Sequence, residues 1–248
     1  MTATVAHIFR HPIKSHGREE IGAVELIAGQ TMPMDRRWAV AHEASNADGS
    51  EWVVCANFSR GSKAPGLMAI EARVNADEGS VTLTHPTIGQ ITFDPERDAQ
   101  EFLKWVAPIM PPDRAKSARI IQVPGRGLTD SPFPSVSLAS LSSNAALSDR
   151  VGMDLSPRRW RANFWIDGLD AWQEFDWVGQ VLEIGEAQIT VREPIVRCLA
   201  TAANPDTGVR DADTLGALES GWGHRTFGVY CEVIKGGTVS LGDRVRPL

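Results

Sequence analysis

The sequence predicts a mainly β protein with helical inserts (α+β), a β-barrel or sandwich architecture in two halves that meet near residue 115. Three observations carry this. Short segments of alternating apolar and polar residues, bounded by Gly, Asp and Pro, recur along the whole chain. Helical spacing of apolar residues is confined to a few short stretches. The polar, proline-containing run MPPDRAKSA at residues 110–118 divides the 248 residues into a first half, 1–115, and a second, 116–248.

In the first half, strands are predicted at residues 4–9, 38–41, 67–74, 81–84 and 90–93, each with period-two alternation. Between Pro95 and Pro108 the period changes: Phe102, Leu103 and Val106 fall on one helical face, with acidic residues in the first turn. The second half opens with a strand at 119–123. The run GRGLTDSPFPS, residues 125–135, is too rich in Gly and Pro for regular structure. A short helix follows over 140–150, then strands at 164–166, 180–184, 188–192 and 228–233. A helix over 213–220 and a closing strand at 244–246 complete the chain. Many short strands with few helices favour a barrel or sandwich, and no internal repeat is visible.

Composition narrows the function. Hydrophobic residues make up 42% and charged residues 23% of the chain, ordinary values for a folded globular protein. The net charge of -6 argues against nucleic acid as a partner, so any bound anion needs a local basic site working against the overall field. No apolar run reaches the roughly 18 residues of a spanning helix, and the N-terminal MTATVAHIFRHPIKS has no apolar signal core. No membrane association and a cytoplasmic location are expected. Cys55, Cys198 and Cys231 are odd in number and far apart, which fits a reducing compartment and excludes a zinc ribbon or a four-cysteine cluster.

Commoner chemistry fails on inspection. Neither GxxxxGK[ST] nor GxGxxG is present, and no GxSxG or SxxK motif anchors a serine nucleophile. Asp211, Asp213 and Gly216 imitate the start of a calcium loop, but Trp222 occupies the place of the closing Glu. His7 and His11 fall on an apparent strand, where a spacing of four does not converge on zinc as it does on a helix.

The most informative segment is EPIVRCLATAANPDTGVRD, residues 193–211, between a predicted strand and a helix. Taken alone, Cys198 has two readings, a buried small hydrophobe or a working thiol. The context supports the second: Arg197 beside it favours a thiolate, Asn204, Pro205, Asp206 and Gly208 force a turn, and strand ends often carry sites. A thiolate is a soft ligand that suits a transition metal better than calcium or magnesium.

These residues resemble the signature of the molybdenum cofactor sulfurase C-terminal, or MOSC, domain family. Four further segments agree: HPIKSHG at 11–17 with the family's PIKS motif, DRRW at 35–38 with DRxW, RRWRANFWIDG at 158–168 with RFRPN, and FGVYCEVIKGGTVSLGDRV at 227–245 with its closing motifs. The resemblance implies a MOSC N-terminal β-barrel domain followed by a MOSC β-barrel domain. Its layout is similar to that of the mitochondrial amidoxime-reducing component and its bacterial relatives, which reduce N-hydroxylated compounds with a molybdenum cofactor. It further implies that Cys198 either ligates molybdenum or carries sulfur.

The residue chemistry fits the cofactor independently. A pyranopterin molybdenum cofactor (Mo-molybdopterin) carries a phosphate, a flat polar ring system and a metal. Lys14 and Ser15 offer a point charge and a hydroxyl to the phosphate, and Arg36 adds a fork. Arg161 and Asn163, two apart on one predicted strand, face the same side and meet the pterin. Ser143 is expected to cap its helix and donate to the phosphate, and Arg197 completes the clamp. Trp160, Trp165, Trp172 and Trp177 read as packing residues and Asp206 as a turn residue.

The chain departs from the family pattern in two places. Ala162 replaces the proline of RFRPN, and Ala202 and Ala203 stand where a threonine and a small or β-branched residue are usual. The leading expectation is a molybdenum-dependent oxidoreductase acting on N-oxygenated small molecules, with Cys198 as metal ligand and electrons from a separate donor protein. The alternatives are a sulfur carrier using a Cys198 persulfide and a non-catalytic molybdopterin carrier.

Overall fold

A computed structural model describes residues 2–75, 77 and 79–248. In chain order the elements are β1 (Thr4–Arg10), β2 (Glu19–Ile21), β3 (Ala23–Leu26), β4 (Trp38–His42), β5 (Glu71–Asn75), β6 (Ser80–His85), β7 (Gly89–Phe93), α1 (Ala99–Val106), β8 (Ser117–Gln122), β9 (Val136–Ser140), α2 (Leu141–Val151), β10 (Phe164–Asp167), β11 (Val181–Ile184), β12 (Ala187–Val196), α3 (Thr214–Trp222), β13 (Thr226–Lys235), β14 (Gly237–Ser240) and β15 (Val245–Pro247). The mainly β class with helical inserts holds, with three α-helices among the described residues.

An eight-stranded sheet in the order β15-β11-β12-β13-β9-β10-β1-β2 forms the frame. By strand pairing it is open. It curls far enough, however, for Thr4 of β1 to bridge Arg244, while Val5 N–H donates to Asp243 O at 2.9 Å. Its buried face carries Val5, Ile8, Val136, Leu138, Phe164, Ile166, Ile189, Val191, Val229 and Val233, a single apolar cluster. β9 is buried at all five positions, as expected for a central strand covered on both faces. Sequence patterning missed it because three of its residues are Ser or Ala.

A second cluster, built from Trp38, Val40, Leu67, Val81, Leu83, Phe93 and Phe102, is the core beneath β4, the β5-β6-β7 meander and α1. Strand pairing crosses residue 115: β8 pairs antiparallel with β4, and β1 and β2 belong to the large sheet. Three more short strands, β2, β3 and β14, were not foreseen, since three or four residues give alternation too little length to register. The predicted strand at 67–74 is corrected as well. Pro65 opens a 3-10 turn, Pro65–Ala69, and the strand starts only at Glu71.

Candidate functional site

β12 ends at Val196, and the chain turns into a 3-10 segment, Leu199–Ala202, with Cys198 at its N-cap. The Cys198 carbonyl accepts from Thr201 N at 3.2 Å and Thr201 Oγ1 at 3.1 Å, which leaves the thiol exposed at the strand end. Next to it, Arg197 folds back over β13. Its Nε donates to Phe227 O at 2.7 Å and its Nη1 to Trp160 O at 2.8 Å. Gly228 makes this possible: a Cβ there would lie 2.6 Å from Leu138 O and 3.3 Å from Arg197 Nη2, at a φ of +69°.

The Trp160–Arg161 corner is held from two sides. Arg197 binds the Trp160 carbonyl, and Arg36 Nη2 donates to the Arg161 carbonyl at 2.9 Å. Arg36 is in turn fixed by Asp35, a fully buried carboxylate that also accepts from His11 N at 2.7 Å. The Arg36 guanidinium and the His11 contact outweigh burial and hold Asp35 below the usual carboxylate range. Lys14 is buried, with Nζ donating to Leu128 O at 2.6 Å and Asp130 Oδ1 at 2.7 Å.

These segments enclose one cavity of about 230 Å³ lined by Lys14, Ser15, Arg36, Arg161, Arg197 and Cys198, together with Cys55, Arg60, Asp130, Ser137, Arg159 and Tyr230. Lys14, Arg36, Arg60, Arg159, Arg161 and Arg197 face it against the single carboxylate of Asp130. Ser15, Arg36 and Arg161 are three of the five non-glycine residues with positive φ (64°, 50° and 53°) among those described. Such backbone costs energy and concentrates where geometry is enforced for function. Among the described residues, Arg159 Nε, Arg161 Nη2 and Arg197 Nη2 are buried without any acceptor. Burial, with Arg36 adding to it, draws Arg161 down to about 9, and burial draws Arg197 down to about 10. Both remain cations at neutral pH.

Two residues expected at the site are not in it. Asn163 does not lie with Arg161 on a strand: Arg161 is a left-handed corner residue and β10 begins at Phe164. The Asn163 amide is used up inside the protein, accepting from Ser137 N at 3.0 Å and donating to Phe9 O at 3.1 Å. Ser143 is not the cap of α2. Ser140 is, accepting from Ser142 N and Ser143 N, while Ser143 Oγ donates to buried Glu174 at 2.8 Å. Sequence reasoning also missed Cys55, Arg60, Asp130, Ser137, Arg159 and Tyr230. Of these, Arg159 and Tyr230 stood in recognised motifs.

Among the described residues, no group of three or more His, Cys, Asp or Glu converges as a metal site. A metal at Cys198 would therefore draw most of its ligands from an organic cofactor. The donor set fits that group: one exposed soft thiol, three orphaned buried guanidinium nitrogens and a cation excess suited to a phosphate and a polar ring. No described helix is long and apolar enough to cross a membrane.

Comparison with known proteins gives the family. The MOSC N-terminal beta barrel domain family matches residues 2–108 and the MOSC domain family residues 128–246. Mitochondrial amidoxime reducing component 2 of Macaca fascicularis is 29% identical over 131 residues, 46% of this chain and 38% of that protein. The chain thus matches well under half of that relative's length. Among solved structures, the YUAD protein from Bacillus subtilis shares 12% identity over 99% of this chain and 94% of its own, with a TM-score of 0.48. YiiM from Escherichia coli shares 18% identity over 46% of this chain and 53% of its own, with a TM-score of 0.35. With both domains present in order, the chain belongs to the MOSC family, which is associated with the molybdenum cofactor.

Proposed function

We propose that this protein binds a pyranopterin molybdenum cofactor, with Cys198 as the protein ligand to the metal, and reduces N-oxygenated small molecules. The observation that carries the reading is the pairing, in one cavity, of an exposed thiol with the buried, acceptor-less nitrogens of Arg161 and Arg197. A buried donor without a partner costs about 1–3 kcal/mol, so two of them mark a place where an acceptor-rich anion belongs. Lys14, Ser15 and Arg36 would hold the phosphate end, and Arg161 and Arg197 the polar ring. Asn163 supports this wall from behind through Ser137, and Ser143 supports the start of α2; neither touches the ligand in this arrangement.

When bound, the cofactor supplies two-electron redox chemistry. The overall reaction consumes two electrons and two protons, converting an N–OH group to N–H and releasing water. The electrons come from a separate donor protein. The chain's own part is to present the Cys198 thiolate, neutralise the anionic end of the group and shape the mouth through which substrate enters.

The test is a metal and pterin analysis of protein made in a host that synthesises the cofactor. Close to one molybdenum per chain is expected in wild type, and loss of it in Cys198→Ser. Reduction of a simple amidoxime by a chemical electron donor then separates an enzyme from a non-catalytic carrier. Folded wild-type protein free of metal and pterin overturns the reading. The exposure of Cys198 also suits a persulfide carrier; a mass gain of one sulfur atom on Cys198 after incubation with a desulfurase would favour it.

A further inference from the structure

The cavity has features that cofactor binding leaves unused. Arg60 is half-buried and lines the cavity, yet lies outside every motif that carries the family resemblance. Among the described residues its guanidinium has one partner, Cys55 Sγ, which accepts from Nη1 at 3.2 Å. Arg36 and Arg159 lean on the carboxylates of Asp35 and Asp211. Arg60 has no such counter-charge. With Nη1 on the thiol, Nε and Nη2 form a free edge of the fork, the geometry that matches a carboxylate.

One apolar residue of the lining is exposed as well: Val196, beside Arg197, is 75% exposed. Single exposed aliphatics are ordinary on a free surface. At the edge of a charged cavity, one supplies the apolar contact that ligand sites combine with a few placed polar groups.

We propose that the mouth of this cavity selects an anionic amphiphile: an N-oxygenated substrate whose apolar body lies on Val196 and whose carboxylate pairs with Arg60. The reacting N–O group rests on the reductase reading above; the carboxylate anchor does not. Val196 supplies affinity with little orientation, and the guanidinium fixes which end of the molecule faces Cys198.

The experiment compares benzamidoxime with 4-carboxybenzamidoxime on holoprotein, wild type and Arg60→Gln. The carboxylate is expected to lower KM about tenfold in wild type, the scale of one charge-assisted pair at a half-exposed site, and this ratio is expected to collapse toward one in Arg60→Gln. Val196→Ser should raise KM for both compounds without changing their ratio. A wild-type ratio near one, or an equal ratio in Arg60→Gln, overturns the anchor; an unchanged KM in Val196→Ser overturns the apolar part. If neither amidoxime turns over, the reductase reading fails and the anchor is judged by calorimetry with inert benzoate and benzamide. Tighter binding of benzoate in wild type but not in Arg60→Gln then supports the proposal, and equal binding in wild type overturns it.

Discussion

Acid should loosen the Lys14–Ser15 corner well before it unfolds an ordinary globular protein, because two buried neutral histidines flank it. His11 and His16 are 1% and 0% exposed. Burial, with Arg161 and Arg36 adding to it, lowers His11 to about 3, and burial lowers His16 to about 4 against the opposing Lys14 carbonyl. In the unfolded chain both titrate near 6.5. The folded pKa is depressed, so as pH falls below about 6.5 the unfolded state takes up protons that the folded state refuses. Stability is lost down to about 4 for His16 and about 3 for His11. Each pH unit in that window costs about 1.4 kcal/mol per histidine, so at pH 5 the pair removes about 4 kcal/mol, a large share of a typical domain's 5–15 kcal/mol. Buried Glu174 works in the opposite sense, so the measurement belongs in a Glu174→Gln background. Unfolding free energies from urea titrations at fixed ionic strength should fall from pH 7 to 5, with a slope that approaches two protons below about pH 6, and one in His16→Asn. A flat profile, or an unchanged slope in His16→Asn, would refute the reasoning. Because His16 Nδ1 contacts the Lys14 carbonyl at 2.7 Å, bound cofactor should be shed over the same window.

Glu174 is fully buried and burial raises its pKa, while one carboxylate oxygen lacks a partner. Its stabilising protonated form is lost as pH rises, so Glu174→Gln should raise the melting temperature at pH 8, with the gain shrinking toward pH 5; no gain at pH 8 would count against an ionised buried carboxyl. Gly208 sits at φ +71°, and a Cβ there would meet Gly66 Cα at 2.7 Å. Gly208→Ala should therefore cost about 2 kcal/mol and part the turn after Cys198 from the first domain, read as a lower melting temperature and faster alkylation of Cys198. Inorganic pyrophosphate should raise the melting temperature of cofactor-free protein, by about 2.7 kcal/mol of stabilisation at a hundred times its Kd. The effect should weaken in Arg36→Gln, and an equal response in that variant would place the anion elsewhere.

What could be read in the sequence follows from how each residue acts. Lys14, Arg36, Arg161, Arg197 and Cys198 carry their chemistry in motifs, and the structure gathers all five around one cavity. Ser143 and Asn163 carry chemistry too, but the fold spends it internally, on Glu174 and on Ser137 and Phe9. No local pattern separates a polar residue facing a ligand from one closing a hydrogen-bond network. Cys55, Arg60 and Asp130 were invisible for the converse reason. They arrive from loops whose positions are set by tertiary packing, such as the approach of Gly61 to Met68 and Ala200. Strands long enough to alternate were legible; β9 was not, because Ser137, Ala139 and Ser140 are buried there without giving the apolar signal that burial normally leaves in a sequence.

The energetics of the cavity run against the stability of the empty protein. Three non-glycine residues hold left-handed backbone there, each at a cost of order 1–3 kcal/mol. Among the described residues, three lining guanidinium nitrogens, of Arg159, Arg161 and Arg197, are buried without acceptors, at about 1–3 kcal/mol each, and only one lining carboxylate opposes the surrounding cations. A site shaped only by folding would relax along the easiest of these routes. A glycine at position 161 would relieve φ, and a glutamate near Arg197 would satisfy Nη2. Instead, carbonyls and carboxylates behind the wall, those of Trp160, Phe227, Asp35 and Asp211, fix the cations while leaving their free ends toward the cavity. The cost is therefore organised around a ligand that is anionic, rich in acceptors and brought close to the Cys198 thiol. Cofactor binding and folding stability are for that reason coupled in this protein, and any substitution that relieves the strain should stabilise the empty chain while weakening its hold on the cofactor.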